Sequence, residues 1–204
     1  MPTQLRGAVG ERLPLSGVPQ KGSLSLDAAL WRRRSVRDFA HETIHARTIA
    51  RLLWAAQGIT DADEQHRTAP SAGATYPLEV LAATDEILAR YVPEEHALEV
   101  LQSKDLRSAI ASVTVDQKWV KDAPAVFVFA AEESRTARRY GRRATRYVLM
   151  EVGCASQNLM LEAAALGLGS CAVGAFDDAK LRRILGVPRS WKPYLVVPVG
   201  FPAA

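Results

Sequence analysis

The densest concentration of reactive groups is the stretch "RRRSVRDF", residues 32–39, in which four arginines surround Ser35. Several guanidinium forks and a hydroxyl together suit a phosphate dianion, which needs multiple charge-assisted donors. The other interpretation is a solvated basic face, the usual meaning of an isolated charge run. The chain has neither a Gly-x-Gly-x-x-Gly loop after a strand nor a Walker loop, so a bound nucleotide would be held by side chains.

Two segments of small residues are the next candidates for a binding site. They are "APSAGATYP", residues 69–77, and "GLGSCAVGAF", residues 167–176. Either is interpretable as a simple connector or helix cap, since Pro, Gly and Ser are common loop residues. Small side chains also let the backbone approach a flat ligand closely, and Gly174 at a strand end is such a place.

The histidines and cysteines do not predict a metal site or a hydrolase. The four histidines lack metal-ligand spacing, and no Ser or Cys nucleophile elbow lies near them. We therefore predict no metal ligand and assign no catalytic acid or base. Cys154 and Cys171 stand in apolar surroundings, which predicts buried thiols in a reducing compartment.

Composition predicts a soluble, cytoplasmic globular protein. Of the 204 residues, 48% are hydrophobic, and 26 Lys and Arg nearly balance 22 Asp and Glu. The near balance argues against a polycationic nucleic-acid surface. No apolar run approaches the roughly 18 residues that a membrane span requires. We therefore expect neither nucleic acid nor membrane as a partner.

The pattern of elements predicts an N-terminal arm, residues 1–24, followed by one domain, residues 25–204. Ser25 begins a short helix, a second helix covers about 46–57, and the longest runs from about 142 to 166. Strands and helices mix without strict alternation, which is typical of an α+β sheet covered by helices. The predicted strands are "LEVLAAT", "EILARYV", "AVFVFAA", "SCAVGAF" and "YLVVPVG", and the other predicted helices are "KDLRSAIAS" and "DDAKLRRILG".

The ordered set of motifs resembles the FMN-dependent nitroreductase family, and most closely its SagB-type dehydrogenase branch. The resemblance extends from about Ser25 to Gly200. It rests on "RRRSVRDF", "RTAPSAGATYPLE", "YVPEEHALEVL", "DAPAVFVFA", "EVGCASQNLMLEAAALGLGSCAVGAFDD" and "VVPVG". It implies an α+β fold with a mixed or antiparallel sheet, arranged as an intertwined homodimer with FMN at the subunit interface.

The resemblance also assigns roles to the arginine segment. Arg33 and Ser35 match the phosphate-side positions, and Arg34 is expected to contribute through its backbone as much as its side chain. Arg37 matches a position near the ribityl chain and pyrimidine edge, where a cation stabilises charge on reduced flavin. Many relatives add basic residues after the last strand, whereas this sequence has none after Lys192. Either the arginine segment suffices, or an arginine of "RRYGRRATR" substitutes.

Further flavin contacts follow from the same resemblance. The flavin is expected to be reached from the partner subunit by Pro70, Ser71 and Ala72. Its pyrimidine ring is expected to contact Gln117. The strand end that carries Val173 and Gly174 is expected to approach the reactive nitrogen of the flavin.

The resemblance implies hydride transfer from NAD(P)H through FMN to a small acceptor, such as a nitroaromatic or quinone-like compound, in a ping-pong cycle. Two alternatives stay open: a SagB-type dehydrogenase that oxidises azoline rings in a modified peptide, and a flavin-binding protein with little turnover. The apolar helix around Val148–Leu166 is predicted to form the dimer interface, with Gly153 and Ala155 allowing close approach.

Overall fold

A computed structural model of the protein describes residues 4–17, 24–61, 63 and 66–203. Its centre is an antiparallel sheet, which in the described residues has seven strands in the order β1-β6-β5-β4-β7-β9-β8. The strands are β1 (Arg12–Pro14), β2 (Ile59–Asp61), β3 (His66–Arg67), β4 (Leu78–Ala83), β5 (Leu88–Val92), β6 (Ala97–Gln102), β7 (Ala125–Glu132), β8 (Gly169–Ser170) and β9 (Trp191–Gly200). Strands β2 and β3 form a separate two-stranded ribbon.

Helices cover both faces of this sheet. They are α1 (Leu26–Arg32), α2 (Ala46–Gln57), α3 (Arg107–Ser112), α4 (Glu133–Tyr140), α5 (Ala144–Ala165) and α6 (Asp178–Leu185). Alternate strand residues point to opposite faces, so Val80 packs with α2 and α5 while Leu81 packs with α3 and α6. The core is therefore divided by the sheet into two layers.

The α+β prediction is confirmed, and local signals located several helix ends. The Ser25 hydroxyl accepts from the Ala28 amide at 3.2 Å at the start of α1. Asp177 accepts from the Lys180 amide at 2.9 Å, and Gly186 ends α6 with φ 66°. Such caps depend on immediate neighbours, which explains why the sequence reveals them.

The structure differs from the predicted elements at several places, and strands β2, β3 and β6 were not predicted. Helix α4 was not predicted, because its sequence is polar and buries only Thr136. The predicted strand over 170–176 is largely irregular: ladder pairing covers Gly169–Ser170, and Val173 makes a single bridge to Val196. Its backbone turns instead toward the neighbouring segment 113–117.

Part of the predicted arm joins the sheet. Strand β1 pairs with β6, with Leu13 opposite Leu98, and Leu5 is buried. Residues 1–3 and 18–23 of the arm lie outside the described residues. In the part of the chain that the structure describes, no helix is both long and apolar enough to cross a membrane.

Candidate functional site

The arginine segment begins where α1 ends. The Arg33 amide closes the helix by donating to the Ala29 carbonyl at 2.9 Å. The Arg34 side chain donates from Nη1 to the carbonyls of Trp31 and Arg33, both at 2.8 Å. Arg34 therefore uses Nη1 to cap its own helix, which fixes the direction of its guanidinium.

The next two residues attach this segment to the edge of the sheet. Ser35 forms a parallel bridge with Ser170, and the Val36 amide donates to the Ser170 carbonyl at 3.0 Å. A Cβ added to Gly169 would lie 2.6 Å from the Val36 Cβ, closer than side chains approach each other. A glycine is thus required for this packing.

The guanidinium groups of Arg33 and Arg37 are among those of the segment that remain available to an anion. Among the described residues, neither Arg33 nor Arg37 takes part in an ion pair. The Arg37 Cζ lies 5.9 Å from the ring centroid of Trp119, whose ring is 6.3 Å from that of Phe39. Free guanidinium donors beside the exposed Ser35 form a donor set that fits a phosphate.

The residues predicted to approach the flavin ring lie at the same edge of the main sheet as the arginine segment. The Val115 amide donates to the Ala175 carbonyl at 2.9 Å, which aligns the segment ending at Gln117 with the one containing Val173 and Gly174. Gly174 is exposed, and a Cβ added there would meet no protein atom within 4 Å. We call this group, Arg33–Arg37 with Gln117, Val173 and Gly174, the arginine edge.

The remaining predicted residues, Pro70, Ser71 and Ala72, belong to a different surface. They form a tight turn, the 70–74 loop, in which Ser71 Oγ accepts from the Tyr76 amide at 2.9 Å. Gly73 adopts φ 59°, and its carbonyl accepts from Arg139 Nη1 at 3.2 Å. The loop is therefore held against the end of α4.

Within one protomer the 70–74 loop and the arginine edge stay apart. The chain entering the loop follows α5 toward its N-terminus, since the Thr68 carbonyl accepts from Asn158 and Ser71 lies beside Glu151. Ser170, by contrast, follows the C-terminal end of α5. Glu151 and Ala165 are about 21 Å apart along the helix at 1.5 Å per residue. In the described residues, no hydrogen bond, ion pair or ring contact joins the two sets.

Sequence reasoning missed a buried acid behind the loop. Glu151 is 3% exposed, and its Oε1 has no hydrogen-bond partner. Burial raises the pKa of Glu151 to about 7, and Ser71, Arg67 and Gln57 act in the opposite direction. The available signal was a carboxylate on the apolar stripe of the longest helix.

Helix α5 is rotated differently from the prediction. Val152, Ala155 and Leu159 are buried within the protomer, so Ala155 does not face outward. Cys171 is buried as predicted, but Cys154 is exposed. The exposed face of α5 carries Leu149, Met150, Gly153 and Cys154.

The antiparallel sheet with helices on both faces makes this an α+β protein, and its architecture is that of the nitroreductase fold. A crystal structure named as that of a nitroreductase from Ralstonia eutropha superposes with a TM-score of 0.88 at 27% identity, covering 100% of this chain and 96% of the other. The chain belongs to the nitroreductase family, whose model matches residues 30–201. It is thus an oxidoreductase of that family.

One further relative supports this assignment, and one further solved structure shares the fold. A Methanocaldococcus jannaschii protein named as a nitroreductase is 38% identical over 189 residues, covering 90% of this chain and 94% of the relative. The microcin synthetase McbBCD complex of E. coli, solved with truncated pro-MccB17 bound, has a chain with a TM-score of 0.73 at 22% identity. That alignment covers 93% of this chain and 78% of the other, and at this identity it shows the fold alone.

Proposed function

We propose that the protein binds FMN at the arginine edge and works as an NAD(P)H-dependent oxidoreductase on a small acceptor. When bound, FMN would supply the redox chemistry, which is hydride transfer from NAD(P)H to a nitroaromatic, quinone-like or other small compound in a ping-pong cycle. Because the cofactor carries this chemistry, the protein's task is to bind, orient and tune it, and the proposal requires no catalytic acid or base from the chain.

The chain's own groups have distinct tasks in this proposal. Arg33 and Ser35 hold the phosphate with charge-assisted hydrogen bonds, while Arg34, whose Nη1 caps α1, contributes through its backbone as much as its side chain. Arg37 places positive charge toward the pyrimidine edge, and its position over Trp119 limits the orientations that it samples. Gln117 adds a polar contact to the pyrimidine ring.

The complete site requires two copies of the chain. Pro70, Ser71 and Ala72 lie far along α5 from the arginine edge of the same protomer, so in our proposal they reach the flavin of the partner subunit. The exposed apolar pair Leu149 (51% exposed) and Met150 (58%) supplies a surface for dimerisation. A two-fold axis would then pair equivalent surfaces and complete two sites at once.

The observation that supports the proposal most directly is the open backbone at Gly174 beside unpaired arginines. Outside residues 173–175, no protein atom lies within 4 Å of the position that a Cβ would take on Gly174, although the neighbouring Val173 is 1% exposed. Such an arrangement gives a flat ligand access to a rigid backbone while its anionic end meets Arg33. The donor set and the free space both fit FMN.

The test is spectroscopic. The purified full-length chain, reconstituted with FMN and freed of excess, should show flavin absorbance bands, and NADH or NADPH should bleach them under anaerobic conditions. Reoxidation by a nitroaromatic or quinone completes the cycle. A protein that cannot be reconstituted with FMN would refute the proposal. Bleaching by an azoline peptide and not by NAD(P)H would replace it with the peptide dehydrogenase, and bleaching by neither would favour a flavin carrier.

A further inference from the structure

A second concentration of positive charge lies where α4 passes into α5. Residues 134–150 contain six arginines and neither Asp nor Glu, although the whole chain has a formal net charge of only +4. In the part of the chain that the structure describes, Arg135 is the one arginine of this stretch that forms salt bridges, with Glu79 and Glu132. The other five are exposed and have no carboxylate beside them: Arg138, Arg139, Arg142, Arg143 and Arg146.

Two partly exposed tyrosines lie among these arginines. The ring centroids of Tyr140 and Tyr147 are 4.8 Å apart in an edge-to-face arrangement. The guanidinium carbon of Arg139 lies 5.6 Å from the Tyr140 centroid, and that of Arg143 lies 5.7 Å from the Tyr147 centroid. Arg143 Nε also donates to the Tyr147 hydroxyl at 3.2 Å, which leaves its two Nη groups for a ligand. We call these four residues the arginine–tyrosine patch.

The arginine–tyrosine patch is attached to the 70–74 loop. The Gly73 carbonyl accepts from Arg139 Nη1 at 3.2 Å. A Cβ added to Gly73 would lie 2.6 Å from the Tyr140 hydroxyl oxygen, so the loop packs directly against the patch. Under the proposed function this loop reaches the flavin of the partner subunit. The patch would then lie at the rim of that flavin site.

We propose that the arginine–tyrosine patch binds the 2′-phosphate and adenine of NADPH, so that the protein prefers NADPH to NADH. This inference rests on the proposed function, in which a pyridine nucleotide approaches the flavin. NADPH differs from NADH by one phosphate on the adenosine ribose, and guanidinium groups bind phosphate through charge-assisted, often bidentate hydrogen bonds. Aromatic rings beside arginines also provide a surface on which a nucleobase stacks.

The surroundings of the patch favour a bound anion over a face that contacts only solvent. The nearest acids in the sequence are engaged or inaccessible, since Glu133 accepts from the Tyr194 hydroxyl and Glu151 is buried. Arginines this close together repel one another, and an anion among them offsets the repulsion. Without residues 134–150 the chain would be slightly acidic, so the charge is confined to one place. A small nucleotide fits such a confined patch better than a nucleic-acid strand does.

Calorimetric titration of the full chain with 2′,5′-ADP and with 5′-AMP tests the patch directly. These nucleotides differ only by the 2′-phosphate, and neither reduces a flavin. We expect 2′,5′-ADP to bind roughly ten-fold or more tightly, as for one charge-assisted phosphate contact, with or without added FMN. Pyrophosphate at equal ionic strength is the control for unselective anion binding. Equal affinity for the two nucleotides, or pyrophosphate binding as tight as that of 2′,5′-ADP, would overturn the inference.

Variants of the two arginines locate the phosphate. Arg139→Gln and Arg143→Gln should each weaken 2′,5′-ADP binding about ten-fold and 5′-AMP binding far less. Arg143→Lys, which keeps the charge without the planar fork, should restore part of the loss. Arg183→Gln, on the exposed surface of α6, is the matched control and should bind 2′,5′-ADP like the wild type. Wild-type affinity for 2′,5′-ADP in both folded Gln variants would refute the assigned contacts.

Flavin reduction separates this inference from the proposed function. In the FMN-loaded protein we expect NADPH to have a kcat/KM roughly ten-fold or more above that of NADH, and Arg143→Gln should remove most of this preference. Equal kcat/KM values would refute the inference and leave the flavin reductase intact. Failure to bind FMN would refute the proposed function, while the 2′,5′-ADP titration still reports on the patch. If Arg143→Gln weakened FMN binding but not riboflavin binding, the patch would hold the flavin phosphate instead, and the inference would be wrong.

Discussion

The amide of Val36 donates a 3.0 Å hydrogen bond to the carbonyl of Ser170, and this contact joins the arginine segment to the far edge of the sheet. Gly169 makes the approach possible, because a Cβ there would lie 2.6 Å from Val36. The proposed phosphate ligands thus depend on a segment from the other half of the chain.

Replacing Arg33 with Ala should weaken FMN binding and spare riboflavin. The change removes one charge-assisted contact, worth about 1.5 to 3 kcal/mol, so FMN affinity should fall roughly ten- to a hundred-fold. Riboflavin has no phosphate and should lose far less. Fluorescence titration with both flavins measures this, and Arg32→Ala, the exposed neighbouring arginine, is the control. Equal losses for both flavins would remove Arg33 from the phosphate site.

Replacing Gly174 with Ala should reduce FMN affinity without affecting the apoprotein. The new Cβ meets no protein atom within 4 Å, so unfolding of the apoprotein by urea should be unchanged. It would, however, occupy the space proposed for the flavin. Gly17→Ala, where a Cβ also meets nothing within 4 Å, serves as the control at a remote position. Wild-type FMN affinity in Gly174→Ala would exclude close contact at this backbone.

Replacing Gly153 with Arg should break the proposed dimer. Gly153 is exposed on α5 and has open space around it, so the protomer accommodates the side chain. A charge placed in an apolar interface is unpaired and costly. Sedimentation should show monomers that have lost FMN, while Ala179→Arg, an exposed position on α6, should behave like the wild type. A wild-type protein that is monomeric at micromolar concentration would contradict the shared site without any variant.

Replacing Glu151 with Gln should change how stability depends on pH. The pKa of Glu151 rises from 4.5 to about 7 on burial, so the folded protein retains a proton that the unfolded chain releases. The contribution of Glu151 to stability should therefore decline as pH rises from about 4.5 to 7, by on the order of 3 kcal/mol in total.

The Gln variant lacks this titration. It should match the wild type near about pH 4 and exceed its stability near about pH 8. Urea unfolding across this range measures both, and Glu42→Gln, an exposed position, should keep the wild-type dependence. Parallel curves for the wild type and Glu151→Gln would show that Glu151 does not titrate in this window.

The sequence alone determined the features that neighbouring residues encode. Capping residues predicted that helices begin at Ser25 and Asp177, and periodicity predicted the β-branched strand over 125–131 and the α+β class. The structure contains all of these features. The arginine–serine segment was also visible as a candidate anion site, because charge density is a local property. The family resemblance then supplied roles for individual residues.

Only the tertiary structure decided what depends on distant contacts. Helix α5 is apolar around most of its circumference, so its sequence does not say which side meets the sheet, and Ala155 proved to face inward while Leu149 faces outward. The gap between β4 and β5 arises where two strands diverge, which no local pattern records. Local periodicity specifies elements, whereas their rotation and separation are set by packing between residues far apart in the chain.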